Sequence, residues 1–258
     1  MDARKISFVG LLAVGLISMG QGTACAGPEA VSAMVSSVSG QVEWLRGGTE
    51  NWVPVKPNQS LSSGDRVRTG TAGNATLTLS EGSVQVLPGS EFSIQSLSRD
   101  VQAKQFQYLF GITKGKVTAK VTAVPPGSKV QFQTPVSTVN VPETGADPSF
   151  TITVNPDGSV SVSEADGTVH ILRDSAPKFQ AILEGGEQIL VQYDPANGSV
   201  RVTSVNGTIT VTGPDGKVVT LNTGDSVVFQ GGAATFIPAT PPVDAPVADS
   251  FLEPASGG

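Results

Sequence analysis

Polar and apolar residues alternate along most of this chain, and a helical period of 3.6 residues is almost absent. Typical runs are residues 75–79 (Ala-Thr-Leu-Thr-Leu), 150–154 (Phe-Thr-Ile-Thr-Val) and 208–211 (Thr-Ile-Thr-Val). A period of two places one face of a strand in the core and the other in water, as in antiparallel sheets. The pattern predicts an all-β fold of short antiparallel strands and hairpins, arranged as a sandwich, a roll or a stack of β-hairpins.

Glycine-containing turns separate these runs. The Asn-Gly pairs at 197–198 and 206–207 predict type I′ hairpin turns, because both residue types tolerate a positive φ. Tetrads that end in Asp-Gly, at 155–158, 164–167 and 213–216, predict further hairpins. Short strands with turns at this spacing favour a sandwich or a roll.

A seven-residue pattern, L-x-x-G-[DE]-x-[VI], occurs three times, at 61–67, 183–189 and 221–227. Glycine permits a turn, the acidic side chain can accept hydrogen bonds from turn amides, and the β-branched residue enters the core. Three copies predict one hairpin unit used three times. Each copy follows a Gly-x-Val or Gly-x-Ile start, which begins at Gly40, Gly167 or Gly207.

The first 26 residues resemble a secretory signal peptide. Two basic residues precede an apolar run at 6–19, and small polar residues then lead to an A-x-A site formed by Ala24 and Ala26. This order of basic, apolar and small residues is typical of export signals. We expect cleavage after Ala26, which would make 1–26 the signal peptide and the rest of the chain a periplasmic or secreted protein.

Two other interpretations of this segment remain open. One is an uncleaved N-terminal anchor, although the apolar run is shorter than the ~20 residues of a spanning helix. The other is lipid attachment at Cys25, a chemistry that prefers a Leu-like residue where Gly22 stands. No second apolar run of spanning length follows, so we do not expect the chain to span a membrane after signal cleavage.

The chain is acidic, with 16 Lys and Arg against 22 Asp and Glu and a net charge of −6. Residues 1–26 carry two basic residues and one acidic residue, so their removal changes the net charge from −6 to −7. Nucleic acid is therefore not an expected partner, because phosphate binding needs clustered Lys and Arg. Removal of the single cysteine would leave no disulfide and no thiolate metal site.

Few residues offer catalytic chemistry. His170 is the only histidine, and the alternation of its strand turns it away from the core face. Asp157, Asp166 and Asp215 each precede a glycine at a turn, without the spacing of a calcium loop. We expect no catalytic residue, no metal and no cofactor. The enzymatic alternative is a glycan-cleaving pair of carboxylates.

Two tryptophans and two arginines are the candidate binding residues. Trp44 shares parity with Val42, which favours a core position, and the alternative is that Trp44 and Trp52 stack on sugar rings. Arg66 and Arg68 flank a valine of the core pattern, so both should face outward together. We predict that these arginines bind an acidic partner or a glycan, and the alternative is an ordinary solvated face.

Several short motifs of residues 63–97, from Gly64-Asp65 to Pro88 and Ser90, follow one another in an order that resembles the FecR domain. Further segments at 109–121 (a strand, a turn at Gly115 and a second strand), 130–135, 167–169 and 183–187 resemble the later elements of that family, so the resemblance covers roughly 35–190. The matching residues of the first stretch are Gly64-Asp65, Val67, Thr69, Gly82-Ser83, Pro88 and Ser90.

The resemblance implies a function but also departs from the family. Well-known FecR proteins pass a signal from an outer-membrane receptor to a sigma factor through a transmembrane helix, whereas a cleavable signal peptide would remove that route. The family's arginine after Thr-Pro is absent, and residues 140–149 form a longer acidic loop. The resemblance implies an exported, non-catalytic binding or scaffolding module of the cell envelope, in signalling or envelope organisation, with an envelope protein or a cell-wall glycan as its partner. The alternative is a structural or self-assembling surface β-protein.

The sequence predicts four regions. The signal peptide at 1–26 precedes a FecR-like β domain at 27–195. An additional β-hairpin repeat at 196–237 packs on this domain. The tail at 238–258 is rich in Pro and Ala and is expected to be disordered.

Overall fold

The fold is built from strands alone. The computed structural model describes residues 27–122, 124–143 and 147–240, except the side chain of Ala165. No helix occurs in these ranges, and so none that is long and apolar enough to cross a membrane. Strands form 60% of the described residues, against about 20–25% in an average globular domain. The predicted all-β fold is confirmed.

The strands are short, with one exception of 17 residues. In chain order they are β1 (Glu29–Ala30), β2 (Ala33–Ser39), β3 (Val42–Leu45), β4 (Trp52–Pro54), β5 (Ser60–Leu61), β6 (Arg66–Thr69), β7 (Asn74–Leu79), β8 (Gly82–Val86), β9 (Glu91–Asp100), β10 (Gln105–Val121), β11 (Lys129–Gln133), β12 (Thr138–Val141), β13 (Ser149–Val154), β14 (Val160–Asp166), β15 (Thr168–Arg173), β16 (Phe179–Glu184), β17 (Gln188–Asp194), β18 (Ser199–Asn206), β19 (Ile209–Thr212), β20 (Val218–Leu221), β21 (Ser226–Gln230) and β22 (Ala233–Ile237).

Two sheets face each other and share β10. Sheet A has the order β4-β3-β6-β9-β10-β11-β12-β15-β16-β19-β20, with β1 also on β9. Sheet B has the order β5-β2-β7-β8-β10-β13-β14-β17-β18-β21-β22. Only β10 and β11 pair in parallel among the described strands. The sheets nearly close into a barrel-like roll.

The long strand β10 corrects one expectation. A turn was predicted at Gly115, but the residue lies inside β10 with φ 84°, and a Cβ there would clash with the side chain and main chain of Ser90. The chain does not reverse at this point. It changes partners, because residues before Gly115 pair with β9 and β11 and those after it pair with β8 and β13. The glycine therefore lets one strand cross between the two sheets.

Beyond β12 the chain forms hairpins that alternate between the sheets. The hairpins β13–β14, β17–β18 and β21–β22 lie in sheet B, and β15–β16 and β19–β20 lie in sheet A. Each of these hairpins except the last, whose strand β22 is largely exposed, buries one face against the opposite sheet, which agrees with the period-two pattern. The structure thus confirms a stack of β-hairpins for this half of the chain.

The centre of the core is a row of phenylalanines that joins the two sheets. Phe92, Phe110, Phe132 and Phe150 have successive ring-centroid distances of 5.3, 4.9 and 5.4 Å. All four side chains are buried. Because Phe132 lies in sheet A and Phe150 in sheet B, their contact spans the sandwich.

The repeated L-x-x-G-[DE]-x-[VI] pattern forms the corners at which the chain passes between the sheets. Its leucines and β-branched residues are fully buried at all three copies, and its glycines have φ values of 89–92°. The acidic residue accepts a hydrogen bond from the amide three residues earlier, as predicted. These bonds run from Ser62 N to Asp65 Oδ2 (2.9 Å), from Glu184 N to Glu187 Oε2 (2.8 Å) and from Asn222 N to Asp225 Oδ2 (2.9 Å).

The predicted hairpin unit is confirmed for two copies and modified in the first. Hairpins β15–β16 and β19–β20 lie between a Gly-x-Val or Gly-x-Ile corner and an L-x-x-G-[DE] corner. In the first copy, the chain leaves the β3–β4 hairpin and forms β5 in sheet B before the corner. That corner therefore leads from sheet B to sheet A, whereas the other two lead from A to B.

Some turn predictions are wrong. Type I′ turns need a positive φ at two residues, but Asn58 and Lys104 are the only non-glycine residues with positive φ in the described ranges. The turns at 164–167 and 206–207 are corners between sheets, not hairpin tips. The tetrads at 155–158 and 213–216 do close hairpins, with N···O distances of 3.0 and 3.1 Å between their first and fourth residues.

Several regional predictions stay untested. The boundary between 195 and 196 falls in the β17–β18 turn, and sheet B continues across it. The predicted signal peptide, with Ala24 and Ala26, lies outside the described residues, as does most of the predicted tail. The predicted loop at 140–149 is shorter than expected, because β12 ends at Val141 and β13 begins at Ser149, and residues 144–146 between them are outside the described ranges.

Candidate functional site

The two candidate arginines lie side by side on the outer face of sheet A. Between them Val67 is fully buried, so the pleat of β6 turns both arginines away from the core, as predicted. The neighbouring strands add Glu43 and Glu91 beside Arg68, and the β3–β4 hairpin brings Trp52 over the same surface. We call these five residues the indole–arginine face: Glu43, Trp52, Arg66, Arg68 and Glu91.

Both guanidinium groups are held by contacts within the face. Arg68 Nε donates to Glu43 Oε2 at 2.6 Å, and Arg66 Nη2 donates to Glu91. The centre of the Trp52 ring lies 4.3 Å from Cζ of Arg68 and 5.8 Å from Cζ of Arg66. A cation within about 6 Å of an indole is attracted by the ring. One indole and two carboxylates therefore fix the orientation of both arginines.

The arginines keep free hydrogen-bonding capacity. Their side chains are 43% and 44% exposed, while those of Glu91 and Glu43 are 21% and 24% exposed. A guanidinium has five N–H donors in a planar fork that matches carboxylates and other oxyanions. The face can therefore bind an acidic group or several hydroxyls while its own ion pairs persist. Exposed ion pairs contribute only about 0–1 kcal/mol to stability.

The second tryptophan lies on the core side of the same sheet. Trp44 packs partly buried against the hydrophobic core, as its parity with Val42 predicted. Its Nε1 is buried and has no hydrogen-bond partner among the described residues. The ring borders an open depression at the corner of Asp65. The two indoles therefore lie on opposite sides of sheet A and do not form a joint sugar-stacking pair.

The other residues considered for chemistry occupy structural positions. His170 is half-buried on the outer face of sheet A, and burial lowers its pKa. Hydrogen bonds from the Ser159 hydroxyl and amide to Asp157 lower the pKa of that carboxyl. Asp215 likewise accepts a hydrogen bond from the amide of the residue two positions later, Lys217, at 3.1 Å. No group of three or more potential metal ligands occurs within 27–122, 124–143 and 147–240.

A cluster around Tyr108 was not predicted from the sequence. Tyr108 Oη donates to Glu81, which also pairs with Arg99 at 2.7 Å. The pKa of Tyr108 is raised, mainly by burial and to a smaller extent by the hydrogen bond to Glu81. The three residues come from β9, β10 and the β7–β8 turn, and their sequence separations left no local signal. The cluster satisfies polar groups at the border of the phenylalanine core.

A buried carboxyl, Glu164, was also missed. It lies at the end of β14, is 2% exposed, and accepts from the Gly186 amide at 3.3 Å. Its Oε1 has no hydrogen-bond partner in the described part of the chain. Burial raises the pKa of Glu164, and the nearby charge of Asp166 acts in the same direction, against backbone hydrogen bonds that lower it.

We expect Glu164→Gln to stabilise the protein at neutral and alkaline pH. Because the folded-state pKa is raised, the unfolded chain loses its Glu164 proton first as the pH rises, and stability falls until the folded state also ionises. At pH values below the unfolded-state pKa, Glu164 is protonated in both states and does not lower the stability of the fold. The melting temperature of the variant should exceed that of the wild type at about pH 8, with a smaller difference at about pH 4.

The exposed Asp166→Asn variant is the control for Glu164→Gln. It removes a neighbouring charge while leaving the buried carboxyl, so its effect at alkaline pH should be smaller. Equal melting-temperature differences for Glu164→Gln at both pH values would show that Glu164 does not have the raised pKa.

Comparison with known proteins gives only a distant structural likeness. No protein-family model and no curated protein matches the chain. Two crystal structures of a putative anti-sigma factor from Parabacteroides distasonis ATCC 8503, at 2.50 and 1.65 Å resolution, are similar with 16% and 15% identity and TM-scores of 0.39 and 0.40. Each match covers 61% of this chain and 59% of the other, so the chain spans less than two thirds of that protein's length.

Proposed function

We propose that the protein is an exported, non-catalytic β-module that binds an acidic envelope protein or a cell-wall glycan through the indole–arginine face. The membership of the FecR family remains part of this proposal, as do export and the absence of catalysis. The observation that supports it most directly is that one indole and two carboxylates orient two half-exposed arginines on the outer face of sheet A.

The chemistry of the face suits such a partner. Without residues 1–26 the protein carries a net charge of −7, which repels acidic molecules at long range and leaves recognition to local cations. Arginine is suited to this because it binds carboxylates in a bidentate manner and stacks on aromatic rings. The sheet holds the side chains in place before binding, which lowers the entropic cost of association.

The proposal is tested by capture experiments with an Arg66→Ala/Arg68→Ala variant. Immobilised protein lacking residues 1–26 is incubated with envelope extract, and separately sedimented with isolated cell-wall glycan. We expect the wild type to retain a reproducible partner and the double variant to retain at least about tenfold less. Since the ion pairs are exposed, the melting temperature should change little.

The matched control is Arg201→Ala, which removes an exposed arginine from the outer face of sheet B. This variant should capture as much as the wild type. Equal capture by the wild type and the Arg66→Ala/Arg68→Ala variant, or no capture above background by either, would contradict the proposed role of the face.

A further inference from the structure

The C-terminal end of the hairpin stack has an open strand edge in each sheet, and the edge of sheet B is the longer of the two. The last strand of sheet B, β22, pairs with β21 on one side and with no described strand on the other. It has five residues, Ala-Ala-Thr-Phe-Ile, with no charge, no proline and no bulge in its register. Such an edge presents unpaired N–H and C=O groups and favours pairing with another strand.

The opposite end of the stack is protected against such pairing. The edge strand of sheet B at that end, β5, has only two residues, and the edge strand of sheet A, β4, has three and ends at Pro54. Short edge strands and edge prolines are the usual means by which proteins prevent sheet-to-sheet association. At the C-terminal end, sheet A ends with β20 and sheet B ends with β22, and neither strand has a described neighbour on its outer side. Of the two, β22 is longer and more exposed, so it is the better candidate for pairing with another strand.

The register shows which groups of β22 are free. Ser204 N donates to the carbonyl of Asp225 at 3.0 Å, in line with the β18–β21 register. Hydrogen bonding alternates along antiparallel strands, so within β21 Asp225 and Val227 bond towards β18, and Val228 bonds towards β22. Val228 lies opposite Thr235, so the N–H and C=O groups of Thr235 point towards β21. The N–H and C=O groups of Ala234 and Phe236 therefore point away from the sheet.

The core is also open at this end. Phe236 lies directly opposite Val227, so the two side chains share the core-facing side of sheet B. Val227 is fully buried, whereas Phe236 is 47% exposed because no further hairpin covers it. A stack of repeats needs a polar terminal unit to end in water. The terminal layer here is apolar.

We propose that two copies of this chain associate through β22, with the two strands pairing antiparallel about a two-fold axis at Thr235. In this register Ala234 of each copy faces Phe236 of the other, and each such pair can exchange two hydrogen bonds. The strand is self-complementary because its free groups are symmetric about Thr235. The protein is acidic overall, and an uncharged edge lets two copies meet without like charges in contact.

The described residues that follow β22, 238–240, are directed away from this edge. Ala239 N donates to Asp225 Oδ1 at 2.8 Å, which turns the chain after β22 towards the β20–β21 corner. A Cβ on Gly224 would lie 2.8 Å from Ala239 Cβ, so the two segments are in close contact. The described chain therefore leaves β22 on the side of sheet A, and a second copy is the occupant that we assign to the free edge.

The contact is small, which sets the expected affinity. One five-residue edge and one phenylalanine per copy bury less than the about 800 Å² per partner of a standard stable interface. We therefore expect a reversible dimer with a dissociation constant in the micromolar range, about 10–100 µM. This interface is separate from the indole–arginine face, so its failure would leave the proposed function unaffected.

Sedimentation velocity of the chain lacking residues 1–26 tests the proposal across about 1 to 300 µM. The wild type should shift from monomer to dimer with concentration. Ala234→Pro, which removes an outward N–H but no bond to β21, and Phe236→Lys, which adds a charge at the edge, should both remain monomeric. Val205→Lys, which replaces an exposed valine on β18, should dimerise like the wild type.

Amide hydrogen exchange supplies an independent measurement. The amides of Ala234 and Phe236 should exchange fast at low concentration and slow down as the dimer forms, while Thr235 stays protected throughout. A wild type that is monomeric at every concentration would overturn the proposal. So would dimerisation that appears only after deletion of residues 241–258, since that segment would then be the occupant of the edge.

Discussion

Replacing Gly40 with alanine is expected to destabilise the protein by about 3 kcal/mol or more. Gly40 forms the corner between β2 and β3 with φ 64°, a conformation that costs a residue with a Cβ about 1–2 kcal/mol. The new Cβ would also clash with the carbonyl group of Ala72. This group belongs to the main chain, so relief of the clash needs a shift of the corner itself. Urea unfolding at constant slope gives the free-energy change.

Gly48→Ala is the matched control for Gly40→Ala. Gly48 has φ 76°, and a Cβ at this position would have nothing within 4 Å, so the substitution brings the backbone strain without the clash. We expect a loss of about 1 kcal/mol at this position. Equal losses at the two glycines would mean that the corner at Gly40 can relax, and that the close approach to Ala72 does not limit it.

The strands were predictable because the relevant signal is local. Residues 150–154 alternate strictly, and the structure buries Phe150, Ile152 and Val154 while their neighbours are partly exposed. The pleat alone dictates this result. The same local parity placed Arg66 and Arg68 on one outer face. The repeated corner was also predictable, because its hydrogen bond spans only three residues.

The arrangement of the sheets was not predictable from these patterns. Strands β10 and β11 pair in parallel. The alternation of polar and apolar residues along each strand would be the same in an antiparallel pair, so the sequence did not indicate this pairing. At Gly115 the sequence showed a glycine between two alternating runs, which describes a hairpin turn and a crossing strand equally well. The contacts with Ser90, about 25 residues earlier, decide between them.

The candidate site was also predictable only in part. The sequence placed the arginines outward, but their partners Glu43 and Glu91 lie 25 residues away in each case. Only the β3–β6–β9 register brings these carboxylates beside them. Glu164 was missed for a related reason. Its position near the end of an alternating strand gives no sign of burial, which arises because the corner at Gly186 packs against it.

Replacing Phe110 with alanine is expected to cost about 3–5 kcal/mol of stability. Phe110 is 1% exposed and contacts Phe92 and Phe132 at centroid distances of 5.3 and 4.9 Å. It lies in β10, the strand common to both sheets, so neighbouring elements cannot easily close the cavity that the missing ring would leave. The melting temperature and the urea midpoint should both fall, with far-UV circular dichroism still showing strands at low temperature.

Phe236→Ala, measured at a concentration at which the protein is monomeric, is the control for Phe110→Ala. The same ring is removed, but Phe236 is 47% exposed at the open end of the stack, so we expect a loss below about 1 kcal/mol. A small loss at Phe110 would mean that the core repacks around the cavity and that the phenylalanine row does not join the sheets. A large loss at Phe236 would mean that the terminal layer is covered in the monomer, which would also count against β22 as a free edge.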